Sequence, residues 1–400
     1  MAHWIFLSKG MVIDTIYYID NSIKAVFSAR SPNFSEQQFF GDIASAYQHG
    51  YCYLCGDIGS LNYLTSLSGP TGDIYNTAYN RYTQNGTAFR TVRTVFVLTY
   101  RDVESEPLEL PESLREKGKC YPIHIPTAIN ASWKLYRECC LLTENLEDGK
   151  FYQFIAKHYC WKRNILEFPF RFHPETGGGS SISEELEKCL CQDKTLVLCL
   201  VDSDQKYGKT KRYPQPAAGE TLTRVKQTLK TLPTKKELPP YALQPLYVHE
   251  IENLIPTQML EELAQEQCPN MRPGLDRISD LQQVNGGEPI LYYDYKNGFP
   301  YMKGEPMRTY WKNVISEIGG DESSMPPESK PTQPYDPKQL FFPPLQSNIL
   351  RHIVKRIKAA EETGDGNLKE IQVDKYLETI WENLGELLLT WGYANEPLRA

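Results

Sequence analysis

The chain lacks what would place it in a membrane or on a secretory route. No apolar run approaches the roughly 18 residues that a membrane-spanning helix needs. The apolar-rich stretch from Met1 to Ile19 is interrupted by Lys9 and Asp14, and no small-residue cleavage site follows it. Without a secretory signal, the 10 cysteines read as reduced thiols of a cytoplasmic protein. Cys52 and Cys55 form a CxxC with no second pair at zinc spacing, so packing accounts for them better than a metal. Gly177-Gly178-Gly179 precedes a helix pattern but has no Walker lysine, which leaves it a flexible connection. Positive charge is scarce as well. A net charge of −7 excludes a general pull toward nucleic acid or anionic lipid, so any nucleic-acid site must be a local basic patch. No internal repeat is visible.

What is present is a globular composition, 40% hydrophobic and 23% charged, long enough at 400 residues for two or three domains. The organising stretch is Thr195 to Asp204. A continuous apolar run that stops in Asp202 and Asp204 reads as a strand buried on both faces, as in a parallel sheet. Side chains at i and i+2 of a strand point the same way, so the two aspartates converge if the strand continues that far. Open α/β sheets bind their ligands at this end of their strands.

Residues 1–132 read as an N-terminal α/β domain. Strands are expected at Trp4–Leu7, Val12–Ile19, Lys24–Phe27 and Thr91–Tyr100. A helix is expected behind a Ser35/Gln38 capping box, and turns over Gly69–Asn85. Asp57 and Asp73 are isolated loop acids. Residues 133–268 form a second unit. Strands are expected at Tyr136–Thr143, Leu166–Phe172 (an edge, from Pro169), Thr195–Val201 and Leu246–His249. Asn145–Gly149 reads as a turn, and helices are expected through Phe151, Ile155 and Tyr159, behind Ser181, and over Leu222–Leu232. Alternating strands and helices predict a parallel, right-handed layer structure. Residues 269–344 are loop-rich, and seven prolines after Asp321 suggest an extended linker or surface loop. In residues 345–400, Leu345, Ile349, Ile353 and Ile357 mark one helix, and Leu377 through Trp391 a second; together they read as a helical hairpin.

Three strand ends of the second unit terminate in acid: Glu144, the Asp202/Asp204 pair, and Glu250/Glu252. A parallel sheet brings such ends to one edge. Four or five carboxylates there repel one another unless hard divalent cations, Mg²⁺ or Mn²⁺, neutralise them. Two such ions can activate a water and stabilise the leaving oxygen in phosphodiester cleavage. Each acid alone has an ordinary explanation, as a solvated turn or a helix cap; their joint order is the more specific signal. The loop after Asp204 carries Lys206, Lys209, Lys211 and Arg212, which suit a nucleic-acid backbone, although a solvated loop has the same look. His249 sits nearby; a satisfied strand-end histidine explains it equally.

That order of acids resembles the toprim domain. Glu144-Asn-Leu-Glu-Asp148-Gly-Lys-Phe151-Tyr152 is similar to the family's first motif, with Asn145 where glycine is usual. Val201-Asp202-Ser203-Asp204 is similar to its DxD. Tyr247 to Leu254 is similar to the glutamate-asparagine segment of toprim nucleases in bacterial phage-defence systems, the overcoming-lysogenization-defect relatives. The resemblance spans about residues 133–268. It implies a toprim-like parallel sheet flanked by helices and an antiviral endonuclease cutting DNA or RNA. It further implies Glu144 as general acid/base or metal ligand, Asp202 and Asp204 on Mg²⁺, and Glu252 on a second metal, with Asp148 secondary. Glu252 is preferred to Glu250 because Asn253 follows it. With no Walker motif here, the ATPase sensor found with many relatives would be a separate chain; an oligomer is open. Two alternatives stand beside the nuclease: a non-catalytic scaffold subunit of a defence complex, and a DxD glycosyltransferase, whose chemistry does not call for acids at 144 and 252.

Overall fold

Two parallel sheets of four strands carry the chain. The computed structural model describes residues 16–81, 94–102, 104–108, 110, 119–163, 171–178, 181–210, 219–234, 237–332, 336–364 and 366–392. The first sheet comprises β1 (Ile16–Ile19), β2 (Tyr53–Gly56), β3 (Thr94–Thr99) and β4 (Lys119–His124), in the order β2-β1-β3-β4. Around it lie α1 (Ser22–Ala29), α2 (Phe34–Gln48), α3 (Ile58–Leu64), α4 (Pro70–Asn80) and α5 (Ile125–Asn130). The second sheet comprises β5 (Cys139–Thr143), β6 (Phe172–Thr176), β7 (Val197–Asp202) and β8 (Tyr241–Leu246), in the order β6-β5-β7-β8. Its connections carry α6 (Leu146–Lys162), α7 (Ile182–Glu187, continued by a π-helical turn, Lys188–Asp193) and α8 (Glu220–Thr231). All pairings in both sheets are parallel. After β8 come a 3₁₀ turn (Ile251–Leu254), α9 (Thr257–Glu266), α10 (Arg272–Leu281), α11 (Glu305–Glu317), α12 (Ile349–Thr363) and α13 (Lys375–Gly392).

The buried parallel strand expected at 195–201 is β7, whose first five residues are all buried. Other expectations need correction, each for a local reason. Lys24–Phe27 lies in α1, not a strand. Ile23 and Phe27 are buried four residues apart while Lys24 faces out, a helical spacing that a four-residue window cannot separate from a strand. The capping box of α2 is Asn33/Glu36, two residues before the expected one, with Glu36 N donating to Asn33 Oδ1 at 3.0 Å and Asn33 N to Glu36 Oε2 at 2.8 Å. Gly69–Asn80 is no run of turns. Gly69 takes φ 69° and Pro70 opens α4, where its missing N–H costs nothing. Asn145–Gly149 is likewise the start of α6. The fourth strand of the second sheet is Tyr241–Leu246 rather than Leu246–His249. It is an edge strand, which accommodates Pro245. Trp4–Leu7 and Leu166–Phe170 lie outside the described residues.

The proline-bearing segment has no strand or α-helix among its described residues, yet it is not a solvated linker. Phe342 is fully buried against the rings of Tyr293, Phe299 and Trp311. Nor do the two last helices pair chiefly with each other: both pack on α6. On α13, Trp381 meets Phe151, Phe154 and His158 of α6 at 5.2–6.0 Å between ring centroids, and donates Nε1–H to Leu254 O at 2.9 Å. Ten residues on, Trp391 packs edge-on against Phe96 of β3 and Tyr121 of β4 at 5.1 and 5.3 Å. One helix therefore seals both sheets, and a single buried apolar cluster runs through them. Among the described residues no helix is long and apolar enough to cross a membrane.

We expect Trp391→Ala to cost about 3–5 kcal/mol, the usual range for emptying a buried aromatic site. Urea unfolding would report it, and hydrogen exchange should show both sheets losing protection together. Loss confined to β3 and β4 would contradict a shared core.

Candidate active site at the carboxyl edge of the second sheet

In an open α/β sheet the ligand edge lies where neighbouring strands lead off in opposite directions. Here that place is between β5 and β7. Glu144 follows β5 directly, and Asp202 ends β7. Glu144's carboxylate lies against the backbone of Asp202 and the two acids act on each other electrostatically, so two acids 58 positions apart in sequence meet. Asp202 Oδ2 in turn accepts Ile251 N at 3.0 Å, which draws the turn carrying Glu250 and Glu252 onto the same edge.

The convergence of Asp202 and Asp204 is not the strand alternation expected. β7 ends at Asp202. Ser203 turns inward, with Oγ donating to Val248 O at 2.8 Å, and Asp204 takes a left-handed φ of 51°. Its carboxylate lies against Gly219, at the start of α8, where any Cβ would collide with it. Glycine at 219 makes that placement available. Gly177 is equally constrained, since a Cβ there would strike the backbone of Ile182. The loop donates Gly177 N to Thr143 O at 3.1 Å and Gly178 N to Glu144 O at 3.0 Å, fixing the end of β5.

Asn253, fully buried, explains why an asparagine follows Glu252. Its Oδ1 accepts Glu250 N at 2.9 Å, and its Nδ2 donates to Ile290 O and Tyr293 O, each at 2.8 Å. It clamps the glutamate turn to a segment that the sequence reading passed over. That segment, Tyr292-Tyr-Asp-Tyr-Lys296, adds Asp294 and Lys296 to the site. Lys296 Nζ lies 3.3 Å from both Glu250 Oε2 and Glu252 Oε1. The available signal was an acid and a lysine among tyrosines that are all buried.

Electrostatics follow from crowding. Burial, then the facing Asp204 carboxylate, pushes Glu144 above the ordinary carboxylate range. Asp202 is pushed well up, by burial first and then by Glu144, Asp148 and Glu252. Burial pushes Asp148 up to about 7, although it accepts Asn145 N at 2.9 Å as part of the α6 cap. Glu250 rises through burial and Glu252, against the pull of His249 and Lys296. Asp294 goes the other way: burial raises it, but the facing His249 imidazole and the N–H donors of Asn297 outweigh that and hold it low. The N-terminus of α6, a 17-residue helix, opens beside Glu144 and favours negative charge there.

The expected ligands Glu144, Asp202, Asp204 and Glu252 are thus electrostatically coupled, but their donor atoms are not drawn to bonding spacing. Among the described residues, the group of three with donor atoms within 4.8 Å of one another is His249, Glu250 and Asp294. Of the basic loop, Lys206 and Lys209 are exposed beside the edge, and Lys206 O accepts Trp311 Nε1–H at 2.7 Å. Lys211 and Arg212 lie outside the described residues. Cys55, in β2, and Cys52, just before it, are both buried. A cleft of about 480 Å³ between the edge strands β4 and β8, lined by Tyr121, Trp133 and Tyr241 among others, also lies away from the acids.

A carboxyl group raised in the folded state binds protons that the unfolded chain has released, so it stabilises at low pH and that stability is lost as pH rises. For Asp148 the window runs from about 4 to about 7. In chelator-treated protein, urea midpoints should fall across that window, and Asp148→Asn should flatten the slope. An unchanged slope would mean that Asp148 is ionised throughout.

No protein-family model, curated protein or solved structure matches the chain, so the chemistry of this edge rests on its own residues.

Proposed function

We propose that the chain is a metal-dependent nuclease of the toprim type, cleaving phosphodiester bonds of DNA or RNA. The observation that carries this is the meeting of Glu144 with Asp202 at the switch point of a four-stranded parallel sheet, with Asp204 and the Glu250/Glu252 turn facing them. The strand sequence also supports it: the glutamate follows the first strand of the sheet, and the aspartates follow the third.

The donor set fits Mg²⁺ or Mn²⁺. It is all oxygen on the Glu144 side, and burial has raised three of its carboxyl groups toward neutrality, a state that a hard dication reverses. Glu144, Asp202 and Asp204 would hold the ion, with Glu252 opposite. When bound it would offset phosphate charge and acidify a coordinated water. The chain's own groups do the rest. Glu144 holds or releases a proton at its carboxylate, Lys206 and Lys209 contact the backbone of the nucleic acid, and Lys296 pairs with Glu250 and Glu252 beside it. By its toprim resemblance the chain acts in the cytoplasm as an effector of bacterial antiviral defence, with ATP hydrolysis supplied by a separate partner.

A second interpretation, a non-catalytic scaffold, is favoured by one observation. Lys296 already serves the glutamate pair as counter-ion, and the expected ligands are not at bonding spacing. Metal-dependent cleavage separates the two. Purified protein, with its partner present, should cut plasmid or tRNA in Mg²⁺ or Mn²⁺. Asp202→Ala should lower the rate by at least about 100-fold, since even the partners behind metal ligands are worth 10–100-fold. Equal cleavage by both proteins, or none by either, would favour the scaffold.

A further inference from the structure

We propose that His249, Glu250 and Asp294 form a separate site for one tetrahedral divalent transition-metal ion, of which Zn²⁺ is the best match. The three residues come from the end of the loop after β8, the N-cap of the 3₁₀ turn, and the tyrosine-rich segment. Their donor atoms lie within 4.8 Å of one another. His249 is 3% exposed and Asp294 6%.

Both ring nitrogens of His249 are buried without a hydrogen-bond partner, and Glu250 Oε2, on the neighbouring ligand, is in the same condition. Buried polar atoms are nearly always paired, and a cluster of unpaired ones calls for an ion or a water. The contact that His249 does make has the wrong geometry for a hydrogen bond and the right one for shared coordination. His249 Nε2 and Asp294 Oδ2 are 3.4 Å apart. Two ligand atoms each about 2.0–2.1 Å from a tetrahedral ion are separated by about 3.4 Å. Asp294 is also held as a ligand should be: its Oδ1 accepts Lys296 N at 3.1 Å and Asn297 N at 2.8 Å, while Oδ2, which also accepts Asn297 Nδ2 at 3.3 Å, faces the histidine.

Donor chemistry selects the ion. An imidazole with two carboxylates suits Zn²⁺ and its neighbours, whereas Mg²⁺ takes oxygen donors in an octahedron and keeps its waters. Charge closes as well. A dication with Glu250, Asp294 and a neutral His249 is balanced, and Lys296 is left for Glu252. Fourth coordination falls to water. None of this depends on the nuclease reading, because the donors at 144, 202 and 204 take no part.

Co²⁺ and Zn²⁺ added to chelator-stripped full-length protein test the site. After desalting, wild type and Asp202→Ala should each retain one equivalent and gain thermal stability, whereas His249→Gln and Asp294→Asn should bind at least tenfold more weakly. Bound Co²⁺ should show tetrahedral visible bands without thiolate-to-metal charge transfer, which separates this site from the 10 cysteines. Two substitutions at different residues guard against one that fails to fold, which circular dichroism would reveal. Any of three results would overturn the proposal: no retained ion in wild type, a thiolate spectrum, or retention unchanged in both variants. Loss of the ion in Asp202→Ala would also overturn it, by merging this site with the acid edge. Cleavage assays on Asp202→Ala address the nuclease independently.

Discussion

Like charge gathered at a buried edge is the constraint to which the rest of this structure answers. Glu144, Asp148, Asp202, Glu250 and Glu252 occupy one end of one sheet. Water is too scarce there to separate them, and four of them are pushed toward the neutral form by burial before any neighbour acts. The fold supplies three partial remedies. The N-terminus of α6 faces the cluster, Lys296 stands between two of the glutamates, and the backbone N–H groups of Asn145 and Ile251 are spent on carboxylates. What these leave uncompensated is the negative potential that a cation would fill.

The first sheet shows the same architecture with the charge removed. Its strand order repeats that of the second, and Asp20-Asn21 stands after β1 as Glu144-Asn145 stands after β5. Asp20, however, meets Arg101 at 3.3 Å and Thr99 Oγ1 at 2.9 Å instead of further acids. One arginine turns the equivalent edge into a structural ion pair. No repeat was visible in the sequence because the two halves share topology and one acid-asparagine pair, while their strands differ in composition.

Much of the layer structure could be read in advance, because β7 is a continuous apolar run and because α6, α12 and α13 are long enough for helical periodicity to be unmistakable. Short elements were not legible. A single buried turn in α1 looks like a strand, and the polar face of α4 hides Tyr75 and Ala78. The acids could be named because strand ends are places where charge is conspicuous. Asp294 and Lys296 could not, since nothing local marks a segment whose role is to be clamped by Asn253, 40 residues before Tyr293. Nor does any residue pattern announce that Asp204 needs a left-handed backbone and a glycine opposite.

The two tryptophans of α13 couple the sheets in time as well as in space. Residues of β3 and β4, and those of α6, both await a helix that is translated after them. Until Trp381 and Trp391 have been made, the aromatic faces of α6, β3 and β4 that they cover stay open, and the scaffold behind the acid edge is unfinished.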